Sequence, residues 1–249
     1  MSHVHGSRET APRTAATRQY RRRHPGPDAS VPRYGISRLL AGLGLAVAVI
    51  VLGLIAKTGS VSSFDLRIDQ HIAAQDRTGA LTTAARAISN AATPETIGIA
   101  LIILVPLIFL LARRRLTALK VFCMFAGAYV LTEIGKVIVG EHRPPVSLQA
   151  MPADSGASYP SGHAAIAAVL AVALVVVAAT MAARSAAIVL AGAYAVAVAA
   201  SRVYLADHFL LDVVGSVLCA LAAGFIVTGL AALPVLQPYL RQIDTRRRH

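Results

Sequence analysis

Six long apolar stretches, separated by short polar segments, divide this chain. A membrane-spanning helix takes about 20 mostly apolar residues. Leu39 to Ala56 carries no charge and makes the first. Thr96 to Ala112 makes the second and stops at Arg113-Arg114-Arg115. The third runs from about Leu119 to Val139, with Glu133 and Lys136 near its far end. The fourth runs from Ser161 to Ala183 and the fifth from Ser185 to about Tyr204. The sixth starts near His208 and continues past Val227, with Pro234 and Pro238 beyond it. The pattern predicts an all-α polytopic membrane protein, six transmembrane helices in a bundle with both termini on one side. Between the first two spans, Phe64, Ile68 and Ile72 recur every four residues, with Asp65, Asp69 and Gln70 between them. That spacing predicts a short amphipathic helix at the interface, as a packing cap over the bundle or as a substrate lid. There is no internal repeat.

Composition agrees: 56% of the 249 residues are hydrophobic and 14% are charged, the profile of a membrane protein rather than a soluble domain. The division that follows is an Arg-rich disordered tail over residues 1–35, a transmembrane domain over 36–240 with an outer loop at 58–95, and a basic tail over 241–249. The first 35 residues lack the apolar core of a signal peptide. Cys123 and Cys219 fall inside apolar stretches as packing thiols, with no disulfide framework or Cys metal site expected. His71 reads as a surface residue, and Glu133 as an internal partner for a cation such as Lys136.

Charge orients the bundle. With both termini in the cytoplasm, the inner segments hold 17 of the 24 basic residues, as the positive-inside rule requires. The net charge of +12 then belongs mostly to that side, where attraction to anionic inner-leaflet lipids accounts for the Arg-rich tail without nucleic acid. Lys57 and Lys120 read as residues reaching for lipid headgroups.

This orientation brings three polar segments to the outer face: Lys136-x6-Arg143-Pro144, Pro160-Ser161-Gly162-His163, and Ser201-Arg202-x5-His208-x3-Asp212. Ionisable groups in a membrane chain point to function. His208 and Asp212, four apart, share a helix face, so Asp212 can hold one ring nitrogen and leave the other as a nucleophile. Alone, that pair reads more readily as a structural polar contact. Ser161 suits a helix N-cap, whose free N–H groups and positive dipole end attract an anion. Gly162 leaves room for a phosphate, and His163 beside it could protonate a leaving oxygen. Lys136, Arg143 and Arg202 supply counter-charge. Glu141 and His142, inside the first spacer, tune or orient rather than catalyse. No metal-ligand spacing is present among the histidines, and neither metal nor cofactor is expected.

These residues resemble the type 2 phosphatidic acid phosphatase family, membrane relatives of vanadium haloperoxidases and bacterial acid phosphatases. Its three-part signature is matched at Lys136, Arg143, Pro144, Pro160, Ser161, Gly162, His163, Ser201, Arg202, His208 and Asp212, within a resemblance that spans roughly Thr58 to Leu230. The resemblance implies a metal-independent phosphohydrolase with a phosphohistidine intermediate. His208 would attack phosphorus, Asp212 would orient it, and His163 would protonate the leaving oxygen. Lys136, Arg143, Arg202, Ser161 and the Gly162 backbone would hold the phosphoryl oxygens. Polyprenyl diphosphates such as undecaprenyl carriers, or phosphatidate-type lipids, are the expected substrates. Two alternatives stand beside this: a phosphotransferase that passes the phosphoryl group to a lipid or sugar, and a non-catalytic lipid-phosphate binding or transport protein. Nothing in the sequence indicates an oligomeric state.

Overall fold

The computed structural model describes residues 31–75, 77, 79–94, 98–152, 155–178 and 184–245. Those residues form an all-α molecule: α1 (Val31–Ala56), α2 (Gly59–Ala74), α3 (Gly79–Asn90), α4 (Ile99–Leu111), α5 (Arg115–Val139), α6 (Gly162–Ala178), α7 (Arg184–Tyr204), α8 (Leu210–Ala231) and α9 (Gln237–Thr245), with a 3-10 turn at Val146–Leu148. Each predicted span corresponds to one apolar helix. By length and composition, α1, α5, α7 and α8 are long enough to cross a membrane. The helices α4 and α6 are shorter, at 13 and 17 residues. At 1.5 Å per residue they reach about 20 and 26 Å, against a hydrocarbon core of about 30 Å.

The helix α8 lies at the centre. Ala220 and Ala223 on it pack against Val121, Met124, Phe125 and Ala128 of α5 and against Ile166, Val169 and Ala173 of α6. On its other side α1 approaches backbone to backbone. A Cβ at Gly42 would meet the Ile226 nitrogen at 2.8 Å, and one at Gly229 would meet the Leu39 nitrogen at 2.7 Å. This is the close approach that small residues permit between apolar helices. Gly224 serves the same end toward α6, where a Cβ would lie 2.6 Å from Val172. Gly192 has no described atom within 4 Å of where a Cβ would stand. The outward faces carry large apolar residues, among them Leu40, Val47, Ile108, Leu111, Val137 and Val196, the girdle that lipid covers.

Two boundaries move. The first helix begins at Val31, inside the segment assigned to the tail, whose residues 1–30 lie outside those described. The C-terminal basic segment starts as part of α9, with Arg241 on the helix and residues 246–249 outside the described region.

The outer segment departs most from expectation. It contains two helices, α2 and α3, rather than one. In α2 the apolar side chains Ile68 and Ile72 pack on Ala164, Val203 and Val213, so the helix caps the bundle. Phe64 is exposed instead, while Asp65 and Asp69 are buried. The acidic stripe turns inward because Asp65 Oδ2 accepts from the backbone N–H of Leu211 in the first turn of α8, at 3.4 Å, where a helix end attracts negative charge. Lys57 does not reach for lipid; its Nζ donates to the Val139 carbonyl at 2.6 Å.

Candidate active site

Four helix ends meet at one end of the bundle: the C-termini of α5 and α7 and the N-termini of α6 and α8. Gly140, in the left-handed conformation (φ 59°), ends α5 and returns its N–H to the Lys136 carbonyl. That turn sends Glu141, His142 and Arg143 across the top of the bundle rather than onward along the helix axis. Ser161 opens α6: the Ala164 N–H donates to its Oγ at 3.4 Å, the expected cap. Ser216 Oγ of α8 donates to the Ser161 carbonyl at 2.7 Å, tying the two helix starts together.

His208 and Asp212 do meet, by a route other than a shared helix face. The helix α8 begins only at Leu210, so His208 precedes it. Asp212 folds back as a cap, accepting from the Phe209 N–H at 2.9 Å, and the same Oδ2 lies 3.2 Å from His208 Nδ1. Ser158 Oγ also donates to that oxygen and sits 3.3 Å from Nδ1. The opposite ring atom, Nε2, lies 3.2 Å from Arg143 Nη1. A carboxylate only accepts and a guanidinium only donates. The proton therefore belongs on Nδ1 and the lone pair on Nε2, facing the cations.

Both arginines of the motifs converge on one residue that the sequence reading did not single out. Asp207 Oδ1 accepts from Arg143 Nη1 at 3.1 Å, and its other oxygen pairs with Arg202. Arg143 also donates to the Gly156 and Asp207 carbonyls. Arg202 is 1% exposed and donates to Ser89 Oγ of α3. Ser158, Asp207 and Ser89 thus join the site. Asp207 carried a signal, since it sits beside His208 within the spacer after Arg202; Ser89, more than a hundred residues away, carried none.

Lys136 pairs with Glu133 at 3.0 Å, as its spacing suggested. Its Nζ also lies 3.9 Å from where a Gly162 Cβ would stand, while Pro94 would meet that Cβ at 3.0 Å. The ammonium therefore faces the start of α6, and a side chain at Gly162 would press on the Pro94 ring. His163 is buried in the first turn of α6. Ser201 Oγ is occupied by the Val198 carbonyl within α7, so it braces the helix end.

Buried acids ring this centre. Burial raises Asp65 to about 6 and Asp69 to about 7, each pushed further by neighbouring carboxylates. Burial likewise raises Glu141 to about 8, with Asp212 the next cause. Among the described residues, no group of three or more His, Cys, Asp and Glu is arranged to hold a metal ion. His71 is exposed and meets Gln75 at 2.9 Å. Cys123 and Cys219 are both free thiols. A cavity of about 720 Å³ opens onto Glu141, His142, Arg143, Gln149 and Gly156. A second, of about 300 Å³, opens onto Lys57, Ser62, Leu66, Arg143 and Phe209. Arg143 lines both, while His208 lies beneath it, 1% exposed.

Residues 117–233 match the model of the PAP2 superfamily, a stretch that contains all three motifs. No curated protein sequence is significantly similar to the chain. Among solved structures, the chain is similar to a transmembrane PAP2-type phosphatidylglycerolphosphate phosphatase from Bacillus subtilis. The two share 25% identity with a TM-score of 0.66, over 76% of this chain and 95% of that one.

Proposed function

We propose that this chain, whose residues 117–233 match the PAP2 superfamily, is a lipid phosphate phosphatase that dephosphorylates phosphatidate-type glycerolipids through a phosphohistidine on His208, at the outer leaflet. The carrying observation is the pair of contacts on the His208 ring, an acceptor at Nδ1 and a cation at Nε2, each at 3.2 Å. That arrangement leaves an in-plane lone pair pointing to where a phosphate would be held.

In the first step Nε2 attacks phosphorus, the N–P bond forms and the P–O bond to the lipid breaks. The leaving oxygen takes its electrons and a proton from His163. Asp212 stabilises the positive charge that grows on the ring. Arg143 turns its N–H from Nε2 to a phosphoryl oxygen as substrate enters. Arg202, Lys136 and the N–H groups at Ser161 and Gly162 hold the remaining equatorial charge, the dominant requirement of phosphoryl transfer. In the second step His163 takes a proton from water, whose oxygen replaces the histidine on phosphorus. These charges come from side chains, so the reaction as drawn uses no metal.

Charge supports this location. The site's end of the bundle carries the fewer basic residues outside the motifs, which by the positive-inside rule favours the extracytoplasmic side, with six crossings and both termini within. The glycerolipid preference is supported by the Bacillus subtilis relative, whose substrate is a phosphatidylglycerolphosphate. Prenyl diphosphates are its competitors.

The test is phosphate release by detergent-purified protein in excess EDTA, over a panel of glycerolipid phosphates and prenyl diphosphates. Turnover of glycerolipid phosphates, lost in His208→Ala, is expected. No release from any lipid phosphate would overturn the assignment, and faster turnover of prenyl diphosphates would overturn the substrate class. Labelled phosphate appearing in a lipid or sugar instead of water would identify a transferase.

A further inference from the structure

We propose that Glu141 is a positioning residue that acts through Asp212: it holds a proton between the two carboxyls and so fixes Asp212 as the ionised partner of His208. The inference rests on the reading of His208 as nucleophile, and it deepens that reading.

The geometry begins at the turn after α5. Gly140 directs Glu141 inward, and the Ser158 N–H donates to the Glu141 carbonyl at 2.8 Å, in the same strand of chain that delivers Ser158 Oγ to Asp212. Glu141 is 7% exposed and Asp212 fully buried; Ser158 touches both residues, each carboxyl keeps a buried oxygen that accepts from no donor among the described residues, and the two carboxyls interact. Two buried carboxyls that interact do not both ionise. Which one keeps the proton is settled by their other partners. Asp212 Oδ2 receives Ser158 Oγ, the Phe209 N–H and the His208 ring, all of which favour its charged form. Glu141 Oε2 accepts from no donor among the described residues, and neither does Asp212 Oδ1. A proton on Glu141 removes the charge from the unsolvated carboxyl and supplies a donor to the other.

The remaining charges around Glu141 do not reverse this. Asp65 from α2 and Asp212 from α8 oppose its ionisation, and Lys57 at the end of α1 favours it. Lys57 is exposed and already bound to the Val139 carbonyl, so water screens it. Tyr159, the other titratable group facing it, gives its proton to the Val49 carbonyl at 2.6 Å. Next to it in the chain, His142 is exposed and Arg143 is engaged by Asp207. Burial raises Glu141 to about 8, so the device is intact at neutral pH and fails on the alkaline side. Once Glu141 ionises, two anions face each other and Asp212 is driven from His208.

The experiment compares wild type, Glu141→Gln and Glu141→Ala by pH profile and by infrared difference spectroscopy of the carbonyl stretch of protonated carboxylic acids. Glutamine keeps an N–H donor that cannot titrate. It should hold kcat at pH 7 within about three-fold and abolish the fall in kcat near pH 8. Alanine should lower kcat about 10–100-fold with little change in KM, the scale on which outer hydrogen-bond partners act. The spectrum of wild type at pH 7 should contain a protonated-carboxyl band that Glu141→Gln lacks. An unchanged alkaline limb in Glu141→Gln, a glutamine variant as slow as alanine, or no missing band would each overturn the proposal. The infrared measurement needs no turnover. If no lipid phosphate is hydrolysed at all, the phosphatase reading fails while the band still decides where the proton sits.

Discussion

Asp207 holds Arg143: its Oδ1 accepts from Nη1 at 3.1 Å, and its second oxygen pairs with Arg202. One buried carboxylate therefore orients two of the three cations assigned to the phosphate. Two roles are open to such a group. It could neutralise the arginines and compete with substrate, or it could set their planes so that a phosphate meets both. Full burial of Arg202 decides for the second, because an unpaired guanidinium there would lack both water and a fixed direction. Asp207→Asn keeps the size and removes the charge. It should lower kcat/KM by about 100-fold, the cost of misplacing groups by about 1 Å, in steady-state assays with a lipid phosphate. Tighter substrate binding without loss of kcat would show competition instead.

Asp69 links the outer cap to pH. Neither of its oxygens accepts from a donor among the described residues, and burial with repulsion from Asp65 and Asp212 raises it from 3.8 to about 7. A carboxyl with a raised folded value binds protons more tightly when folded. It stabilises most below its unfolded value, and that contribution is lost as pH rises from about 4 through 7. Asp69→Asn carries no such loss. Its thermal midpoint in detergent should exceed that of wild type at pH 8, with the gap closing toward pH 4; a gap that widens at low pH would contradict the buried-acid account.

The contact between α1 and α8 sets a second stability test. Ala at Gly229 would place a methyl group 2.7 Å from the Leu39 backbone nitrogen, which neither helix can accommodate without separating. Gly229→Ala should destabilise by about 1–3 kcal/mol, the usual cost of overpacking. Gly192→Ala meets nothing within 4 Å and should be neutral or stabilising by a few tenths of a kcal/mol through helix propensity. Equal melting shifts for the two would show that α1 and α8 do not pack as described.

The sequence pattern carried the spans and motifs because hydropathy and fixed spacing are local. Lys136 with Glu133, Ser161 as a cap, and His208 with Asp212 all came together. What was hidden depended on contacts distant in the chain. Ser89 reaches Arg202 across 113 positions, and no periodicity announces that. The helix α3 has twelve residues, among them two Thr, a Ser, an Asn and an Arg, and is too short and too polar to read as a span. The inward turn of Asp65 and Asp69 is not legible in the sequence, because hydropathy assigns acids to water, whereas here a helix N-terminus receives one of them. His208 and Asp212 were paired correctly but for an incomplete reason, since the helix starts two residues later than a shared face requires.

The central claim is that phosphate passes through His208. Rapid-quench of the purified protein with a lipid phosphate labelled in its terminal phosphoryl group measures this directly. The account predicts a labelled phosphoprotein, stable in alkali and labile in acid, that maps to the peptide containing His208. It should form at least as fast as turnover and be absent from His208→Ala. Turnover without any labelled protein, or label that persists in His208→Ala, would contradict it.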